Sequence, residues 1–365
     1  MTIDKAPLSP LPEIPMTTGI GSLPHHNIDA ALAHSFQTDI PYLPQIPIRN
    51  PWEYMIPQAL EGLPGLEVEA GGAVVLDLEV WLGRSHVLNE KLLTAFSNAE
   101  NPDAFESFEP SAATSSSWQP FLWELEERDS RLAKIQLAGP LTCPWTLRLK
   151  EGSELDRYPE ISAQILRLIM ARAIAMCRRL RSGGIQPILF LDEPGLYCIS
   201  LQNPRHRMAL NELKLVIKTL RNEGAWVGLH CCSNTDWKVV LELGLNVLSM
   251  DAQLSLDALL EQKEALTQFI ATAGRLSLGV IPTSKSISRD ASDLFSLLIS
   301  KFQNLGKMQF QEIQQILKHA LLTPACGLAL HSPADAELIL ASLQEFRSYC
   351  ALNSHSGSHF EAPVL

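Results

Sequence analysis

Short apolar runs alternate along this chain with longer segments in which apolar positions recur every three to four residues. The runs predict strands at Thr17–Ser22, Ile40–Pro47, Lys134–Pro140, Ile185–Glu193, Trp226–Cys232, Val247–Ala252, Leu276–Pro282 and Leu322–Gly327. The periodic segments predict helices at Asn27–Phe36, Pro159–Arg181, Arg205–Arg221, Asp236–Leu243, Leu256–Ala271, Asp290–Phe302 and Pro333–Tyr349. Strand and helix in repeated alternation mark an α/β protein with a parallel sheet, and eight such strands fit a single (β/α)8 TIM barrel over residues 1–350. The rhythm breaks after the second strand, from about residue 50 to 130. There GLEVEAGGAVVLDLEVWLG alternates like a hairpin and NPDAFESFEPSAATSSSW reads as a polar loop, so the segment is expected to be an insertion that acts as a lid. Residues 351–365 carry no periodicity and predict a flexible tail.

Composition agrees with a large buried core, because 46% of the 365 residues are hydrophobic and 19% are charged. A net charge of -11 without any basic run argues against nucleic acid or an anionic membrane as partner and leaves a small molecule as the expected ligand. The start, MTIDKAPLSPLPEIP, has acidic residues and prolines where a secretory signal has a positive segment and an apolar core. No apolar run approaches the roughly 20 residues of a membrane span. A cytoplasmic location is therefore expected, with the seven cysteines as reduced thiols. Cys143, Cys177, Cys198 and Cys350 read as small buried hydrophobes.

The reactive residues fall where a barrel concentrates chemistry, at the C-terminal ends of predicted strands. Ser22 ends the first, Gln45 lies in the second, Asp192 and Glu193 end the fourth, His230 and Cys232 the fifth, Asp251 the sixth and Cys326 the eighth. Two residues apart on a strand, His230 and Cys232 project to one side while Cys231 faces the other. Imidazole and thiolate together suit zinc, and Cys326, far downstream at the end of the eighth predicted strand, adds a third ligand. Asp251 is either a fourth ligand or the cap of the following helix. Two consecutive carboxylates after ILFL need partners wherever they are buried.

The ordered elements GIGSLP, AGPLT, LFLDEP, LHCCS, LSMDA and TPACGL resemble the catalytic half of cobalamin-independent methionine synthase. That family shares a superfamily with uroporphyrinogen decarboxylase and the zinc methylcobamide:thiol methyltransferases. The resemblance covers Thr17 to about Ser332. It implies a zinc-dependent enzyme that moves a methyl group to a thiol, with homocysteine as acceptor and methionine as product. By motif it makes His230, Cys232, Asp251 and Cys326 the zinc ligands, although the family carries glutamate at the position of Asp251. It makes Ser22 a contact for the amino-acid carboxylate and Asp192 a contact for its ammonium group. The family's second amine-binding glutamate has only Gln45 in its neighbourhood here. Trp145 sits one position before the family's pterin-stacking tryptophan, and Glu193 and His25 lie in the DEP and GSLPHH elements as further catalytic or donor-binding candidates. The methyl donor stays open between methyltetrahydrofolate and a methylcobamide, the latter with a corrinoid protein as partner. The folate-contacting glutamate beyond DEP is replaced in GLYCIS. A metal-free decarboxylase of the uroporphyrinogen type and a non-catalytic zinc-binding protein are the alternatives, and the decarboxylase reading lacks the arginines its substrate's carboxylates would require.

Overall fold

A computed structural model describes residues 11–153, 155–284 and 290–353. It contains strands β1 (Met16–Thr17), β2 (Leu66–Val68), β3 (Val74–Leu76), β4 (Leu132–Ala138), β5 (Arg148–Leu149), β6 (Gln186–Asp192), β7 (Trp226–Cys231), β8 (Val247–Asp251), β9 (Arg275–Ile281) and β10 (Leu321–Pro324). Seven of them pair side by side, all parallel, in the order β1-β10-β9-β8-β7-β6-β4. The result is a curled parallel sheet of seven strands, a half-barrel flanked by helices, against the eight strands of the expected barrel.

The difference lies in the predicted second strand, Ile40–Pro47, which has no ladder. Its Pro41, Pro44 and Pro47 have no N–H to give, so only isolated parallel bridges form, Ser22 with Gln45 and Tyr42 with Lys134. The segment nevertheless bonds on two sides. Ile40 N–H donates to Thr17 O at 3.0 Å and Gln45 N–H to Gly21 O at 3.0 Å, while Leu43 N–H donates to Lys134 O at 2.9 Å. The first predicted strand is likewise short, its ladder ending at Thr17, before Gly19 and Gly21.

Two apolar layers hold the sheet. The larger lies between the strands' outer faces and the helices, and includes Ile165, Leu168 and Ile169 of helix Pro159–Ser182 and Leu213, Val216 and Leu220 of helix Pro204–Asn222. The smaller, with Met16, Ile40, Ile188, Phe190, Val247 and Leu321, packs among the strands. Farther along the strands the interior turns polar, lined by Lys134, His230, Ser249, Ser277 and Thr323. Barrel interiors are ordinarily filled by branched apolar side chains, so these polar positions direct attention to the strands' C-terminal ends.

The predicted helices are present as Ile28–Ser35, Pro159–Ser182, Pro204–Asn222, Trp237–Leu241, Ala291–Asn304 and Pro333–Asn353, and the predicted Leu256–Ala271 divides into Leu256–Leu260 and Lys263–Ala271. The last helix runs three residues into the expected tail, whose positions 354–365 lie outside the described residues. Within the insertion, β2 and β3 form the expected antiparallel hairpin, but β3 also pairs in parallel with β5. The alternation read through WLG does not continue, because Leu78–Ser97 is a helix of 20 residues, capped by the Asp77 side chain accepting from Val80 N–H. The stretch expected as a polar loop holds a 3-10 helix at Pro102–Phe108, and helix Trp118–Glu127 follows. Trp81 Nε1–H donates to Gln164 Oε1 at 2.7 Å, which fixes the long helix of the insertion on helix Pro159–Ser182. Among the described residues, no helix is long and apolar enough to cross a membrane.

Candidate metal centre

The end of β7 and the turn after β10 bring three ligand side chains together. His230, Cys232 and Cys326 present donor atoms that all lie within 4.8 Å of one another. His230 is still in the ladder, opposite Asp192 of β6 and Ser249 of β8, whereas Cys232 is the first residue beyond the strand. Period-two alternation puts these two on one side, and Cys231 is buried on the other, its thiol donating to Ser233 O at 3.3 Å. Cys326 arrives from the opposite end of the sequence. The β10 register shifts between Thr323 and Pro324, and Ala325 N–H then donates to Ile281 O at 2.9 Å. Gly279 permits this approach, because a Cβ there would stand 2.8 Å from Ala325 Cα and 2.9 Å from Met250 O.

His230 is buried and its Nδ1 is 2.9 Å from Ser249 Oγ. With Nδ1 carrying the proton, the hydroxyl accepts and Nε2 is left as a metal donor, the arrangement by which outer groups orient ligating histidines. The two cysteines are half-buried. Hydrogen bonding to Cys326 and then to His230 lowers the Cys232 pKa well below the ordinary thiol value, and the same bond, with burial, raises that of Cys326. A cation bound between the two sulfurs would displace their protons.

Asp251 is not drawn into this cluster. Its Oδ1 accepts from the backbone N–H groups of Gln253 at 2.8 Å and Leu254 at 3.2 Å, so it holds the turn that leaves β8.

Asp192 ends β6 beside His230, fully buried, and its Oδ1 has no hydrogen-bond partner among the described residues. Burial raises its pKa to about 6, against the opposing pull of Lys134. Glu193 is also buried but is fully engaged. It accepts from Leu141 N–H at 3.0 Å, Thr142 N–H at 2.7 Å and Thr142 Oγ1–H at 2.6 Å, and burial still raises its pKa to about 7. Glu193 therefore braces the loop after β4.

Ser22 lies directly over Gly327, the residue after Cys326, because a Cβ on that glycine would be 2.2 Å from Ser22 Oγ. Leu328 N–H donates to Ser22 O at 2.9 Å. Gln45 is buried and its amide donates to Gln58 Oε1 at 2.7 Å, which occupies the group expected to meet substrate. Trp145 is partly exposed, with its ring 4.8 Å from that of His206. His25 stands apart from the three ligands, with His34 and Glu337.

Of the four cysteines read as buried hydrophobes, Cys143, Cys177 and Cys350 are buried, and Cys198 is exposed, its thiol donating to Gly195 O at 3.1 Å. Sequence reasoning passed over two polar residues below the site. Lys134 and Gln136 are buried on β4, where Lys134 Nζ–H donates to Gln136 Oε1 at 3.0 Å and Gln136 Nε2–H to Leu43 O at 2.9 Å. Burial lowers the Lys134 pKa to about 8. The signal was present in LAKIQLA, where polar residues two apart in an apolar strand share one face.

The donor set suits zinc. Two sulfurs and an imidazole, with the imidazole oriented by Ser249 and no fourth side chain drawn in among the described residues, would give a metal three protein ligands, the number typical of catalytic rather than structural zinc sites. Comparison with protein-family models and with curated proteins finds no match for this chain.

Proposed function

We infer that this protein is a zinc-dependent methyltransferase that moves a methyl group to a thiol, with homocysteine as the acceptor. The observation that carries this reading is the convergence of His230, Cys232 and Cys326, from strand ends far apart in sequence, on one open three-ligand cluster. Zinc held there supplies a Lewis acid that keeps an acceptor thiol, ordinarily protonated at neutral pH, as its nucleophilic thiolate. The chain's own residues then have separate tasks. Ser249 holds the His230 ring in the ligating tautomer. Asp192, buried with an unpartnered oxygen, meets the ammonium group of the amino acid, and Ser22 over Gly327 meets its carboxylate. Glu193 keeps in position the loop after β4, which leads into the short helix Thr142–Thr146 that carries Trp145. In the transfer, the acceptor sulfur forms its bond to the methyl carbon as the bond from that carbon to the donor breaks. A methylcobamide leaves without an acid, whereas a folate nitrogen must be protonated.

The same reading takes the half-barrel as a closed eight-stranded one. Residues 40–46 serve as the eighth stave, a role supported by their hydrogen bonds to the first segment on one side and to Lys134 on the other.

The test is to load the protein with zinc, add homocysteine with methylcobalamin or methyltetrahydrofolate, and follow methionine. Product from one donor, lost in Cys326→Ser, supports the assignment and identifies the donor. No product from either donor with a range of thiols would reject it.

A further inference from the structure

A second group of ligand-type side chains lies away from the first. His25 follows the Ser22 segment, His34 is in the last turn of helix Ile28–Ser35, and Glu337 is near the start of helix Pro333–Asn353. Their donor atoms lie within 4.8 Å of one another. Glu337 Oε1 is 3.5 Å from His25 Nε2 and 3.5 Å from His34 Nε2, and the two rings are 4.9 Å apart between centroids. His25 is only 4% exposed, yet among the described residues neither of its ring nitrogens makes a hydrogen bond.

A pair of carboxylate–histidine ion pairs is the plain alternative, and the distances oppose it. Charge-assisted N–H···O bonds close to about 2.7–2.9 Å. Two donor atoms each about 2.1 Å from one tetrahedral ion stand about 3.4 Å apart, and about 3.0 Å apart around an octahedral one. The 3.5 Å separations match the tetrahedral edge. A buried imidazole with both nitrogens unpartnered is costly unless something absent from the protein itself engages it.

We propose that His25, His34 and Glu337 form a second divalent-metal site, of the two-histidine, one-carboxylate class that takes zinc. It joins the helix after β1 to the helix after β10, two strands that pair side by side. The site does not depend on the methyltransferase reading, since it shares no ligand with the sulfur-containing cluster.

The experiment separates the two sites by their ligands. Full-length Cys232→Ser/Cys326→Ser protein is stripped with a chelator and titrated with Co²⁺, and zinc is counted after reconstitution with Zn²⁺ alone. One ion per chain should remain, with visible ligand-field bands, no thiolate charge-transfer band, and a melting temperature that rises with added metal. Adding either His34→Ala or Glu337→Gln to that background should abolish both the bands and the rise. Glu337 is half-exposed, so the glutamine variant should melt like its parent without metal. Absence of a bound ion in the double-cysteine variant would overturn the proposal. So would binding of unchanged affinity after both further substitutions.

Discussion

Replacing Glu193 by glutamine separates a brace from a catalytic group, and its effect should change with pH. The carboxylate is fully buried and accepts three hydrogen bonds, yet its pKa stands at about 7 against an ordinary 4.5, because burial outweighs those bonds. A raised folded-state pKa means that the folded protein holds this proton more tightly than the unfolded chain. The stability it brings is fully present below the unfolded value and is lost as pH rises through about 7. Integrated from pH 5 to pH 8, those two values give a loss of about 2–3 kcal/mol. Glutamine cannot ionise and removes this slope, but in either orientation its NH₂ faces a backbone donor, Leu141 N–H or Thr142 N–H, at a cost of about 1–3 kcal/mol. Glu193→Gln should therefore be clearly less stable than the parent at pH 5, with the deficit shrinking or vanishing by pH 8. Relief of the neighbouring Asp192, whose charge also raises Glu193, acts in the same direction. Urea denaturation followed by circular dichroism in the presence of chelator gives both free energies at each pH. Parallel pH profiles for the two proteins would refute the reasoning.

Ser249→Ala removes the partner of His230 Nδ1 and should weaken zinc binding about 10–100-fold in a chelator competition, with unchanged affinity as the contrary result. Gly327→Ala puts a Cβ 2.2 Å from Ser22 Oγ, which must swing aside, so stability should fall by about 1–3 kcal/mol while the KM for the acceptor thiol rises. An unmoved KM would remove Ser22 from the substrate contacts. Cys198 is exposed and should be labelled by a maleimide much faster than buried Cys143, Cys177 and Cys350, and Cys198→Ser should abolish the fast phase in zinc-loaded protein.

The sequence pattern located β6 through β9 to within a residue or two, because each is a continuous apolar run buried on both faces. It misjudged Ile40–Pro47, since apolar content is visible in YLPQIP but the loss of ladder donors at its prolines depends on which side each N–H must face. It missed helix Leu78–Ser97, although Asp77 as N-cap and Trp81, Leu88, Leu92 and Ala95 on one face were there to read. The strand alternation of VVLDLEVWL masked them. His230 and Cys232 were legible as a local pair, and Cys326 from its place at a strand end. The geometry sets Asp192, Glu193 and Asp251 apart: Glu193 is bonded from the loop after β4, Asp251 by its own following turn, and Asp192 Oδ1 by nothing among the described residues. Nothing in the order of residues joins His25 and His34 to Glu337, about 300 positions away.

Cobalt substitution tests the central claim most directly, because thiolate ligands announce themselves by charge-transfer absorption in the near ultraviolet. Co²⁺-loaded wild-type protein should show that band, at roughly half intensity in Cys326→Ser and absent in Cys232→Ser/Cys326→Ser, in keeping with two sulfur ligands. Homocysteine should strengthen it in the wild type as a third thiolate joins the open position. A wild-type spectrum without the band, or one indifferent to both cysteine substitutions and to homocysteine, would contradict the account.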